Sequence, residues 1–231
     1  MDIIYVNFLI KIKAGNNLKM KTVCIVPIKQ HSTRVKGKNF KRINGKPLYL
    51  FLLEKLKYCN FDEIYIDSDS KIIEKYAKKN NYKFIKRVKS LAKNSANGND
   101  LLNYHCSLID SDLYFQLFVT APLLSIKSIN NCIKILKNKK KYDSVFTIIK
   151  ERSFYWFKDK PLNYKLAVLP RSQELTPIIR ETTGLYGIKK SVLKKKKCRI
   201  GYKPFKYLVE RKEAIDLDNF MDFLLLEKYT K

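Results

Sequence analysis

TVCIVP (Thr22–Pro27) runs directly into IKQHSTRVKGKN (Ile28–Asn39). The first six residues form a short apolar run rich in β-branched side chains, as expected of a strand buried on both faces. The stretch after it, Ile28–Gly45, is polar and basic, without strong periodicity. Pro47 then stands where a helix opens, and Leu48, Phe51, Leu52 and Leu56 keep helical spacing. Further on, strand and helix signals alternate. Glu63–Ile66, Tyr82–Ile85, Leu113–Val119 and Asp143–Ile149 read as strands; 71–80 (with Ser70 as its cap), 100–108 and Ser128–Leu136 read as helices. That alternation predicts an α/β fold, a mainly parallel sheet with both faces covered. Ligands of such sheets bind beyond the carboxyl ends of the strands. The polar clusters after the first, second and fourth strands all fall on that edge.

Between 150 and 205 the pattern changes. Pro161, Pro170, Pro177 and Pro204 interrupt short β-like pieces such as LAVL (166–169) and GLYGI (184–188). This predicts a small β-rich excursion from the sheet, a lid or a dimer contact. Ala214–Leu217 reads as a closing strand, and Asp218 as the cap of a last helix carrying Phe220, Phe223 and Leu224. Residues 1–19 hold an apolar run, Ile3–Ile10, broken by Asn7. With Asp2 and no small-residue cleavage site it does not resemble a signal peptide. We read 1–19 as an N-terminal extension, or as lying upstream of a true start at Met20, and 20–231 as a single domain.

The 231 residues carry 48 Lys and Arg against 21 Asp and Glu, a formal charge of +27. Taken alone, that suggests a polyanion partner. Only 8 of the cations are Arg, however, and Asn, Ile, Tyr and Phe, which have AT-rich codons, are also abundant. The Lys residues are scattered, with dense runs only at 137–141 and 194–197. Base readout relies on Arg forks, so a dedicated nucleic-acid protein is disfavoured. No apolar run approaches the roughly 20 residues that span a bilayer. The five Cys are widely spaced without a CxxC, which reads as free thiols in a reducing, cytoplasmic compartment. Two His, His31 and His105, cannot build a zinc site unaided.

Two constellations could carry chemistry. In the first loop Lys29, Ser32, Arg34, Lys36, Lys38 and Asn39 supply cations and donors within eleven residues. Such a loop can wrap a polyphosphate, although the GxxxxGK[ST] pattern is absent. In a chain this rich in Lys, a merely solvated basic loop is the bland alternative. The second is AIDLDNFMD (214–222), where Asp216 and Asp218, two apart at a strand end, would face one side and hold Mg²⁺. Asp218 could instead be an ordinary helix cap, but that leaves Asp216 without a structural task. A phosphate loop with a carboxylate pair fits nucleotidyl transfer.

Six collinear blocks carry a family resemblance: IVPIKQHSTRVKGKNFKRINGKPL (25–48), DSDSKII (67–73), ANGNDLL (96–102), YFQLFVTAPLL (114–124), ETTGLYGIK (181–189) and EAIDLDNFMDF (213–223). The chain resembles the CMP-sugar synthetases, the acylneuraminate cytidylyltransferase family that activates nonulosonic acids with CTP. The resemblance implies a Rossmann-like sheet of the nucleotide-diphospho-sugar transferase type and a homodimer whose contacts come from 150–205. It assigns the triphosphate to Lys29, Ser32, Arg34, Lys38 and Asn39, and magnesium to Asp216 and Asp218. Arg87 would approach the cytidine or triphosphate, and Asn97 and Asp100 fall near nucleotide and sugar. Arg171, Gln173, Glu181 and Thr183 fall in the sugar-side and dimer-contact region.

Departures from the family pattern are specific. Lys29 replaces the usual Arg and loses its bidentate fork. Gln30-His31 stands for a Gly-Gly pair. The usual Gln-Pro-Thr-Ser-Pro run is Phe118-Val119-Thr120-Ala121-Pro122, leaving Gln116 out of register by two, with Gln116 and Thr120 the substrate candidates there. The implied reaction is CMP transfer from CTP to a nonulosonic acid with release of pyrophosphate. The alternatives are a sibling enzyme for 3-deoxy-octulosonate or another sugar acid, and a non-catalytic basic nucleic-acid binder on the same fold.

Overall fold

The computed structural model describes residues 20–32, 35–138 and 141–230. In chain order the main elements are β1 (Thr22–Ile28), β2 (Arg42–Ile43), β3 (Lys46–Pro47), α1 (Leu48–Leu56), β4 (Glu63–Ser68), α2 (Lys71–Lys79), β5 (Lys83–Lys86) and α3 (Lys89–Ala92). They continue with α4 (Gly98–Leu108), β6 (Leu113–Leu117), α5 (Ile126–Asn138), β7 (Ser144–Glu151), β8 (Trp156–Phe157), β9 (Lys160–Pro161), β10 (Ile178–Lys189), α6 (Lys190–Lys196), β11 (Pro204–Leu208) and α7 (Phe220–Tyr229). Seven strands form one sheet in the order β11-β7-β10-β6-β1-β4-β5. β1 runs parallel to β4 and β6, β4 to β5, and β7 to β11, while β10 is antiparallel to both neighbours. The expected α/β fold with a mainly parallel sheet is present.

The all-apolar β1 shows why the sheet is covered twice. Successive side chains leave a strand on opposite faces. Val23 and Ile25 pack with Leu102, Cys106 and Leu193 of α4 and α6. Cys24, Val26 and Ile28 pack with Leu52, Leu53, Ile73 and Ile129 of α1, α2 and α5. All seven β1 residues are buried, each large aliphatic one contributing roughly 1.5–3 kcal/mol by leaving water.

Several boundaries and caps differ from the sequence reading. GLYGI is no part of an excursion: it lies in β10, between β6 and β7. There Gly187 is required, because a Cβ would come within 2.4 Å of the buried Phe115 ring. Pro204, read as an interruption, opens β11 at the sheet edge, where the missing N–H is tolerated. The excursion is therefore 152–177, holding the β8–β9 hairpin, and LAVL there forms one isolated bridge, Lys165–Val168, with its apolar side chains exposed. Ala214–Leu217 is no strand; a 3-10 turn ends at Ala214 and extended chain follows. Asn219, not Asp218, caps α7, its side chain accepting from Asp222 N in a capping box. Ser70 precedes α2 without a side-chain cap bond. No helix among the described residues is long and apolar enough to cross a membrane. All five Cys are free.

Candidate active site

A cavity of about 340 Å³ opens at the carboxyl edge of the sheet, beyond β1, β5 and β6. Pro27, Lys29, Ser32, Lys38 and Asn39 line it from β1 and its loop. Arg87, Leu91, Lys93, Asn94 and Ala96 line it from the chain after β5, and Phe118–Thr120 from the chain after β6. The loop is held from within: Asn39 Nδ2 donates to Lys29 O at 2.8 Å, and Ser32 Oγ donates to Val35 O. It is also held from outside, by Gln30 N donating to Asp69 Oδ1 at 2.7 Å and Lys29 Nζ donating to Asn94 Oδ1 at 2.8 Å. Arg34, a candidate from sequence, lies outside the described residues.

Lys38 carries the cavity to the carboxylates. Its Nζ, on a buried residue, lies 2.9 Å from Asp218 Oδ1 although the two are 180 residues apart in sequence. Leu217 N donates to Thr120 O at 2.9 Å, tying the same extended segment to the cavity wall. Below it Glu213 is buried; burial opposes its charge, but donation from Ser125 and the Glu210 amide holds its carboxyl below the usual range. Asp216 Oδ2 accepts from Thr183 Oγ1 at 2.5 Å, while Asp216 Oδ1 is buried with no hydrogen-bond partner. Thr183 has φ 57°, a costly conformation for a β-branched residue, within a register shift of β10. A strained backbone and an orphaned carboxylate oxygen thus meet at one point. Among the described residues there is no cluster of three or more His, Cys, Asp or Glu. Asp216 and Asp218 are the carboxylates here that could hold Mg²⁺, an ion that keeps waters and shares phosphate oxygens.

Arg87 reaches the cavity from a buried base. Its Nε and Nη2 donate to Asp67 Oδ2 at 3.0 and 2.8 Å, and Nη2 also to Asp67 O at 3.2 Å. His105 Nε2 lies 3.3 Å from the same oxygen. Burial opposes the Asp67 charge, but His105 and Arg87 together hold its carboxyl below the usual range. Neither Asp67 nor His105 is singled out by sequence reasoning. DSDS reads there as a polar strand end inside one resemblance block, with no role for Asp67, and His105 only as one of two His that cannot build a zinc site unaided.

Other candidates are placed elsewhere. Asn97 and Asp100 satisfy each other in the capping box of α4: Asn97 Oδ1 accepts from Asn99 N and Asp100 N, and Asp100 Oδ2 from Asn97 N. Arg171 and Gln173 sit on the excursion, exposed, with Arg171 Nε 3.0 Å from Glu174 Oε1. Glu181 accepts from Tyr186 Oη at 2.7 Å, and Gln116 is fully buried in β6.

A cytidylyltransferase family model matches residues 23–215. An N-acylneuraminate cytidylyltransferase A from Danio rerio is 23% identical over 201 residues, covering 83% of this chain and 46% of that protein. The chain thus spans about half of that relative. A pseudaminic acid cytidylyltransferase from Campylobacter jejuni is 27% identical over 226 residues, covering 88% of this chain and 93% of that one. Among solved structures, a CMP:2-keto-3-deoxy-manno-octonic acid synthetase complexed with CTP superposes with TM-score 0.68 at 14% identity, covering 91% and 98% of the two chains. A 4-diphosphocytidyl-2C-methyl-D-erythritol synthase from Anaerococcus prevotii does so with TM-score 0.68 at 13% identity, covering 91% and 96%. Both share the fold.

Proposed function

The chain belongs to the cytidylyltransferase family, and from that premise we propose that it transfers CMP from CTP to a nonulosonic acid of the sialic type, releasing pyrophosphate. Membership makes it a nucleotidyltransferase, and the resemblance to the acylneuraminate cytidylyltransferases read from its sequence agrees with its relatives. The observation that carries the specific reaction is the Lys38–Asp218 contact, which brings the basic loop and the carboxylate pair to one cavity edge.

In this reading the acceptor's anomeric oxygen attacks the α-phosphorus in line as the bond to pyrophosphate breaks. Lys29, Arg34 and Lys38 neutralise the departing phosphates, with Ser32 and Asn39 shaping their loop. Arg87, fixed by Asp67, presents a guanidinium to the nucleotide, and Thr120 lines the same wall. Asp216 and Asp218 would hold Mg²⁺, which when bound would supply electrostatic stabilisation of the phosphoryl charge. The protein's own share is positioning and pre-set charge.

The chain works as a homodimer through 152–177, where Trp156, Phe157, Leu166, Val168 and Leu169 are exposed together. A second copy would bring Arg171 and Gln173 toward the acceptor. Five free thiols fit a reducing cytoplasm.

The test is pyrophosphate release from CTP, Mg²⁺ and N-acetylneuraminic acid by wild type and Asp216→Asn. Release should need all three components and fall at least 100-fold in the variant. Unchanged turnover and magnesium dependence in Asp216→Asn would overturn the assignment.

A further inference from the structure

Arg199 stands in the loop between α6 and β11, beyond the motifs that identify the family. Its guanidinium carbon lies 3.6 Å from the centroid of the Tyr186 ring and 5.9 Å from that of Phe118, which lines the cavity. Its backbone N donates to Asn99 Oδ1 at 2.9 Å, anchoring the loop against α4. Among the described residues no carboxylate forms an ion pair with it. In a chain with eight Arg, this one is held flat on an aromatic face with its donors unspent.

A second, independent feature meets it. Gln116 is fully buried in β6; its Nε2 donates to Gly98 O at 3.1 Å, and its Oε1 has no partner. A Cβ on Gly98 would lie 2.4 Å from Arg199 Nη1 and 3.2 Å from Gln116 Oε1. The absence of a side chain at Gly98 is what lets guanidinium and orphan acceptor flank one point at the start of α4. Tyr186 is itself fixed, its Oη donating to Glu181 Oε2 at 2.7 Å.

We propose that Arg199 is the anion-recognising residue of the acceptor subsite, its guanidinium taking the substrate's carboxylate while Gln116 Oε1 accepts from a hydroxyl or amide of the same molecule. This rests on the function proposed above and names how its sugar acid is told from a neutral sugar. An Arg fork matches a carboxylate with two parallel donors. Stacking on Tyr186 fixes the fork in advance, so little side-chain freedom remains to be lost on binding. Buried Gln116 adds selectivity, because an acceptor lacking the donor would leave its oxygen unpaired.

The experiment is steady-state pyrophosphate release by the full chain, comparing N-acetylneuraminic, legionaminic, pseudaminic and octulosonic acids, each with its C1 carboxamide. Wild type should prefer the acid over its amide by roughly 10- to 100-fold in kcat/KM. Arg199→Gln should raise the acid's KM by a similar factor, leave the KM for CTP within about twofold and abolish the acid-over-amide preference. A merely structural Arg199 would weaken acid and amide alike, so a retained preference in Arg199→Gln overturns the proposal. A rise in the KM for CTP instead would assign the guanidinium to phosphate and overturn it too. If the Gln variant does not fold, Arg199→Met keeps an apolar stem on Tyr186 without the charge, and an undiminished preference there is equally fatal. A wild-type chain inactive with every acid removes the parent reading along with this one, whereas an active wild type with an indifferent Arg199 removes this one only.

Discussion

Replacing Arg87 by Met tests whether the buried Asp67 carboxylate is held by its partner or merely sits beside it. The side chains of Asp67 and Arg87 are 1% and 3% exposed, and both Arg87 donors converge on one oxygen, Oδ2. Asp67 Oδ1 has no partner, so removing Arg87 leaves a buried carboxylate with only His105 Nε2 at 3.3 Å. Breaking a buried pair by deleting one member costs about 3–5 kcal/mol, far more than the pair itself contributes. For a domain of this size each kcal/mol moves Tm by roughly 2–4 °C, so Arg87→Met should melt about 6–20 °C lower at pH 7. Arg87→Met with Asp67→Asn should recover part of that loss, because the stranded charge is gone.

The pH dependence fixes the mechanism. In wild type the Asp67 carboxyl lies below its ordinary value, so its contribution is present above that value and is lost as pH falls through the folded one. In Arg87→Met burial dominates and raises the folded pKa. Proton uptake then relieves the variant as pH falls, and the gap to wild type should narrow between pH 7 and 4. Urea unfolding of the two chains and the double variant across that range provides the measurement. A cost under about 1 kcal/mol, or a gap independent of pH, would refute the reasoning.

Three further outcomes follow from the same geometry. Lys38→Met removes the cavity cation 2.9 Å from Asp218 and should raise the KM for CTP roughly tenfold or more, read by pyrophosphate release at saturating acceptor. Gly187→Ala drives a Cβ into the buried Phe115 ring and should cost about 1–3 kcal/mol in urea unfolding. Burial pulls the Lys55 ammonium, which donates to Pro122 O and Leu124 O, down to about 8. Between that pH and about 10 the unfolded chain alone holds this proton, so wild type should gain stability relative to Lys55→Met as pH rises from 8 to 10.

Much of the architecture was legible because its cause is local. The apolar β1, the amphipathic α2 and α5 and the basic loop each carry their own periodicity or composition. What failed depends on tertiary context. β10 looked like part of an excursion because Pro161, Pro170, Pro177 and Pro204 punctuate the stretch around it; in the fold it enters the sheet, where Gly187 admits the Phe115 ring. Ala214–Leu217 has strand composition, but it is buried by crossing below Thr120 and Ser125 rather than by pairing in the sheet.

At the site, Lys29, Lys38 and Asn39 were legible as a cation and donor cluster directly after a strand. Arg87, Gln116, Thr120 and Thr183 came from the family resemblance and not from spacing. Asn97 and Asp100 also carry a local signal: N-x-x-D before an apolar helix is a capping box, and the structure uses both residues for that. Asp67, though inside a resemblance block, was given no role, and His105 and Arg199 carried no readable signal, because the significance of each lies in what it meets in the folded chain.

The most direct measurement is pyrophosphate release from CTP with Mg²⁺ over neuraminic, legionaminic, pseudaminic and octulosonic acids, with UTP and ATP as controls. Release that requires CTP together with a nonulosonic acid is the predicted result, and the acid that supports it names the substrate. Release with octulosonate only would move the chain to the sibling reaction. Silence across the panel, with no thermal stabilisation by CTP and Mg²⁺, would contradict the cytidylyl-transfer site built from Lys29, Lys38, Asp216 and Asp218.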